Sequence, residues 1–158
     1  MSLAVAASRL AVPARWYLGV LFVGAAWHKI ASPESFAVDV ATYDILPLGL
    51  VNLMAITLPW IEIVAGLMLL LGWRTRPASL LIAGMMLVFI VALAIALARG
   101  LDMSCGCFAS QGAAEDPISY LTVLRDLAWL ALSVLVLVGD RGLVGLAGLP
   151  RTRRVHAP

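Results

Sequence analysis

The chain has 158 residues, 63% of them hydrophobic and 13% charged, with a formal net charge of +2 and a mean hydropathy of +1.01. Soluble domains run near half apolar and a quarter charged, so these values exclude a soluble globular protein and define an integral membrane protein. The small net charge, with basic residues scattered around apolar segments, points away from nucleic acid. The length suits one bundle of four spanning helices of about 20 apolar residues each, with no second domain.

In chain order, residues 1–12 read as a frayed lead-in carrying Ser8 and Arg9. A first span is predicted over 13–31, with Pro13 in its opening turn and Pro33 just beyond its end. A cleaved secretory signal is the competing reading, but His28-Lys29 interrupts where a small-residue cleavage site belongs. The connection 32–49 holds Pro33, Glu34, Asp39, Asp44 and Pro47; it is too polar to cross a bilayer and suits a short surface helix. A second span over 50–71 contains Pro59, which predicts a kink, and Glu62 three residues later. After the basic turn Trp73-Arg74-Thr75-Arg76 comes an uncharged third span, 77–98, ended by Arg99-Gly100. A polar loop leads to a fourth span, 118–138, containing Arg125 and Asp126, and then to a basic tail, 139–158. The single transmembrane domain is therefore 13–138. Most of the tryptophans and tyrosines fall where interfacial aromatic belts belong.

Eight basic residues (Arg9, Arg15, Arg74, Arg76, Arg141, Arg151, Arg153 and Arg154) lie on one side, against Lys29, Arg99 and Arg125 on or near the other. The positive-inside rule then makes both termini cytoplasmic and sets the loop after the third span outside a bacterial-type inner membrane. That loop contains Met103-Ser104-Cys105-Gly106-Cys107-Phe108, with both cysteines of the chain. The outer compartment is one where disulfides form and persist.

A disulfide needs Cα atoms roughly 4.4 to 6.8 Å apart, and Gly106 lets the backbone bend enough to bring residues two apart within that range. So small a ring removes little unfolded-chain entropy, and a strained bond is easily reduced, which suits exchange better than stapling. Two unreactive thiols or a structural bridge are the plain alternatives. A metal pair, with His28 adding a nitrogen, is a third; against it, closed zinc sites take four ligands and the chain has no second cysteine pair. Met103 is the one methionine with any claim to ligand chemistry.

Glu62, Arg125 and Asp126 fall inside apolar spans, where an unpaired charge costs about 2.5–3.5 kcal/mol on insertion scales. They must face the bundle interior and pair, and the expected pair is Glu62 with Arg125. One reading is a structural salt bridge. The other joins them to His28 and Lys29 as a polar pocket beneath the cysteine loop, able to hold a quinone head group or pass protons.

The run Arg15-Trp16-Tyr17-Leu18-Gly19 through Phe22, Gly24 and Lys29 to Pro33 and Phe36 resembles the opening of the DoxX-like membrane proteins. Pro59, Glu62 and Gly66-Leu67 with Leu71-Gly72 resemble their second span. Cys105-Gly106-Cys107-Phe108 with Arg125-Asp126 is similar to the methylamine-utilisation protein MauE branch, except that Ala109 stands where glycine is usual. The resemblance spans 15–138. It implies an all-α, four-helix membrane bundle tied to redox work outside the cytoplasm. In the methylamine system, the relative acts alongside a thioredoxin-like partner in maturing a disulfide-rich dehydrogenase subunit, and DoxX relatives are linked to quinone-coupled sulfur oxidation. By the same resemblance Cys105 and Cys107 are the redox pair, and Lys29, Glu62 and Arg125 are polar motif residues.

The leading expectation is thus a thiol–disulfide oxidoreductase in which Cys105 and Cys107 exchange with a periplasmic thioredoxin-like partner and electrons pass to or from a quinone. Lys29, Glu62, Arg125, Asp126 and His28 are the candidate cofactor-binding residues. A metal-handling protein and a non-catalytic docking subunit are the alternatives.

Overall fold

A computed structural model describes residues 3–103, 105 and 118–140, and among the described residues all regular structure is helical. The helices are α1 (Leu3–Ala31), α2 (Pro33–Thr42), α3 (Leu48–Leu71), α4 (Thr75–Ala98) and α5 (Tyr120–Gly139). Four stretches are long and apolar enough to cross a membrane: Ser8–Ala31, Leu48–Leu71, Thr75–Ala98 and Tyr120–Gly139. The protein is an all-α, multi-pass membrane bundle with one short extra helix, α2, between its first two spans.

The expected lead-in is instead helical. α1 begins at Leu3 and carries Pro13 in its interior. Residues 3–12 are mostly alanine, leucine and arginine, the best helix formers, and Pro13 removes only one backbone donor from the ladder. Likewise α3 continues through the buried Pro59. Left-handed glycines follow α3 and α4. At Gly72 (φ 64°), the Gly72 N–H donates to Leu69 at 3.2 Å and that of Trp73 to Met68 at 2.9 Å. Gly100 (φ 68°) repeats the pattern, donating to Leu97 at 3.0 Å while Leu101 donates to Ala96 at 3.1 Å. This paired bonding satisfies carbonyls that a helix end otherwise leaves without donors.

Helix α1 is the central post. It packs on α3 and on α5, α5 packs on α4, and α2 lies along α3; α3 and α4, though joined by a tight turn, touch far less. The α1–α3 contact is made through glycine. A Cβ on Gly66 would lie 2.9 Å from Val23 Cγ2, 3.1 Å from the Gly19 carbonyl oxygen and 3.2 Å from the Val23 nitrogen. With no hydrophobic force between helices in lipid, close backbone approach at small residues is what holds spans together. The buried side chains Ala14, Leu18, Phe22, Ala65, Leu69, Ala78, Ile82, Trp129 and Val136 fill the bundle.

Gly66→Val should therefore cost several kcal/mol through displaced backbone, whereas Gly84→Ala, whose added Cβ meets nothing within 4 Å, should be nearly neutral. Thermal unfolding of the two variants in detergent checks this, and equal loss would refute the close approach as the source of the cost.

Candidate functional site

The glycine contact sets the register of everything above it. Antiparallel helices lean their side chains toward their own N-termini, so Lys29 leans down α1 while Glu62, one turn beyond Gly66, leans up α3. They meet: Lys29 Nζ donates to Glu62 Oε1 at 2.7 Å and Oε2 at 2.9 Å, with both side chains buried. The ammonium also lies 4.9 Å from the centre of the Phe36 ring on α2.

The expected Glu62–Arg125 pair is thus corrected. Their common place inside apolar spans suggests it, but the packing of α1 on α3 supplies Glu62 with a nearer cation. Arg125 leans toward the start of α5. Its Nε donates to Asp126 Oδ1 at 3.3 Å, its guanidinium sits 4.8 Å from the Trp129 ring centre, and its Nη2 donates to Cys105 Sγ at 3.4 Å.

Cys105 is fully buried. The Tyr43 hydroxyl at the end of α2 donates to its carbonyl at 2.9 Å. Around it, Arg99 donates to the Tyr43 and Asp44 carbonyls at 3.1 and 3.2 Å and to Asp44 Oδ2 at 2.9 Å. Ile118 N–H donates to the Met103 carbonyl at 3.1 Å, and Met103 packs with Tyr43, Leu93 and Ala96. Cys105 is disulfide-bonded, while Cys107, the chain's other cysteine, lies outside the described residues.

The gap between α3 and α4 is a cavity of about 840 Å³, closed on its other sides by α1, α2 and α5. Its length is apolar: Met54 and Leu58 from α3 face Leu80, Leu81, Gly84 and Val88 from α4. Leu80, Leu81 and Val88 are exposed, so in a bilayer this side meets lipid. Its polar groups are few: Lys29, Asp39, Glu62, Cys105 and Asp126 all line it. A mostly apolar pocket in the usual small-molecule size range with a few convergent polar groups is the form of a ligand site.

Of the expected residues, the structure brings Lys29, Glu62, Asp126 and Cys105 to one cavity. Arg125 touches three residues of its wall, namely Cys105, Asp126 and Trp129. His28 does not join them: it is exposed on another face of α1 from Lys29, because consecutive helical residues are about 100° apart. Among the described residues no three or more His, Cys, Asp or Glu side chains group in a way that could hold a metal ion. Asp39 and Tyr43 join the site without having been expected there, although Phe36, Asp39, Val40 and Tyr43 follow the helical i, i+3, i+4, i+7 spacing that marks one buried face. A second buried pair, Arg15 Nη1 with Asp140 Oδ2 at 3.1 Å, ties α1 to the residue ending α5.

Together these features define a four-span membrane protein that holds a buried cysteine at the wall of a lipid-facing cavity, beside an intramembrane ion pair. The chain belongs to the methylamine utilisation protein MauE family, whose family model matches residues 4–139. It is 35% identical over 126 residues to the methylamine utilization protein MauE of Paracoccus denitrificans, covering 79% of this chain and 67% of the relative. The MauE of Methylophilus methylotrophus is 30% identical over 128 residues, covering 80% and 67%. That of Methylorubrum extorquens is 34% identical over 120 residues, covering 75% and 63%. No solved structure matches the chain.

Removing one partner of a buried pair strands the other, at about 3–5 kcal/mol, whereas replacing both with apolar groups is often neutral. Lys29→Met alone should strongly lower the melting temperature, and adding Glu62→Leu should restore most of it. No recovery in the double variant would show that the two residues do not act on each other.

Proposed function

We propose that this protein is a membrane thiol–disulfide redox protein: Cys105 and Cys107 form and exchange a disulfide with a thioredoxin-like partner, and electrons pass from that partner to a quinone held in the cavity between α3 and α4. The observation that carries the reading is the position of Cys105 in the wall of a lipid-facing cavity. A sulfur there is within reach of a bilayer-dissolved oxidant, while Cys105 itself lies between α4 and α5, outside both spans.

The arginine bias supports cytoplasmic termini and a cysteine loop on the outer face of a bacterial inner membrane, the side where client proteins acquire disulfides. The relatives are named for methylamine utilisation, and the proposed physiological role follows them: support for maturation of an extracytoplasmic enzyme of that metabolism. The cavity's chemistry fits the proposed quinone. Its apolar length between α3 and α4 suits an isoprenoid tail, and Lys29, Glu62, Asp39 and Asp126 offer hydrogen-bonding and proton-exchanging groups to a head group.

Gly84 supplies the test, since it lines the cavity and a Cβ added there meets nothing within 4 Å. Gly84→Leu should keep the fold, lose most of the co-purifying quinone and slow quinone-dependent reoxidation of the reduced cysteines roughly tenfold, equivalent to about 1.4 kcal/mol. Solvent extraction of the purified protein and stopped-flow reoxidation measure these. Absence of quinone from the unmodified protein, or reoxidation indifferent to Gly84→Leu, would rule the reading out.

A further inference from the structure

Resting on that redox reading, we infer a division of labour between the two cysteines: Cys105 is the sulfur that leaves when a partner thiol attacks, and Arg125 is the positioning residue that stabilises the charge it takes up. Cys105 has 0% exposure. Thiol–disulfide exchange requires an incoming thiolate to approach one sulfur from behind the bond that breaks. A folded partner cannot make that approach to a fully buried sulfur that lies against Arg125 in the cavity wall, so the attacked sulfur is that of Cys107.

The electron pair of the broken bond then resides on Cys105 Sγ, and Arg125 Nη2 already points at that atom from 3.4 Å. The guanidinium is held from two further directions, by the Asp126 carboxylate and by the Trp129 ring, so it needs little rearrangement as charge develops. A guanidinium beside a sulfur stabilises the thiolate over the thiol, and a stabilised thiolate leaves faster.

The partner's first thiolate bonds to Cys107 as the Cys105–Cys107 bond breaks, leaving a mixed disulfide and the Cys105 thiolate. The partner's second thiolate attacks its own sulfur in that mixed disulfide, releasing Cys107 as a thiolate and the partner as a disulfide. Two electrons pass through Cys105 to a quinone in the adjoining cavity, the Cys105–Cys107 bond re-forms, and the quinone takes the two protons given up by the partner dithiol to become quinol. Cys105 is in this way the cysteine of the membrane side.

The test uses the oxidised full-length protein in lipid nanodiscs and, as probe, a thioredoxin-fold protein in which one active-site cysteine is replaced by serine, so that the mixed disulfide is trapped. Peptide mapping should place the adduct on Cys107, with Cys105 free. Arg125→Met should slow adduct formation about tenfold, whereas Arg125→Lys, which keeps the charge, should stay within about threefold of the unmodified rate. An adduct mainly on Cys105, or a rate unchanged in Arg125→Met, overturns this assignment and leaves the redox reading standing. No adduct on either cysteine overturns both. Should Arg125→Met fail to fold, the adduct position in the unmodified protein and the Arg125→Lys rate decide.

Discussion

Lys29 and Glu62 meet inside a bundle whose surroundings are hydrocarbon, where each charge left alone would cost about 2.5–3.5 kcal/mol on insertion scales. Their contact at 2.7 and 2.9 Å depends on the close approach of α1 and α3 at Gly19 and Gly66. It fixes how far one helix slides along the other and which faces they turn to each other. With α1 committed to α3 on one side and α5 on the other, α4 is left to pack mainly on α5. The sparse α3–α4 contact is a consequence of that arrangement, and the cavity is its result.

Cys105 then joins two neighbourhoods, one through its main chain and one through its sulfur. The main chain of Cys105 is tied to the end of α2 by Tyr43, and through Arg99 the same corner is tied to the end of α4. Its sulfur accepts from Arg125, and the residue lines the cavity with Asp126 and Trp129. Arg125 belongs to both settings, since it bonds Asp126 and the Cys105 sulfur at once. Exposed ion pairs such as Arg99–Asp44 add little stability, but in this position the pair helps set where the loop leaves α4.

Much of this architecture is legible in the amino-acid sequence. Apolar length identifies the four spans, because a bilayer demands about 20 apolar residues and the chain supplies them four times. Glu62, Arg125 and Asp126 stand out because charges within such spans are costly. What periodicity does not reveal is azimuth and register: Glu62 and Arg125 both stand out as charges inside apolar spans, yet the glycine contact turns Glu62 to Lys29. The same limit groups His28 with Lys29, although one residue of helix separates their directions by about 100°. Pro13 has the spacing of a helix start, but the ten residues ahead of it are helical because alanine, leucine and arginine carry the helix across one missing donor. Asp39 and Tyr43 are obscured by the polarity of the 32–49 connection, in which the short apolar stripe of α2 is easily missed.

In the proposed function the cysteine pair draws its oxidising power from the membrane through this cavity. The most direct test follows the redox state of Cys105 and Cys107 by thiol alkylation in membranes depleted of quinone and supplied with a thioredoxin-like dithiol. The pair should accumulate in the reduced form and return to the disulfide when a short-chain quinone is added. A pair that reoxidises equally fast with no quinone present would contradict that mechanism.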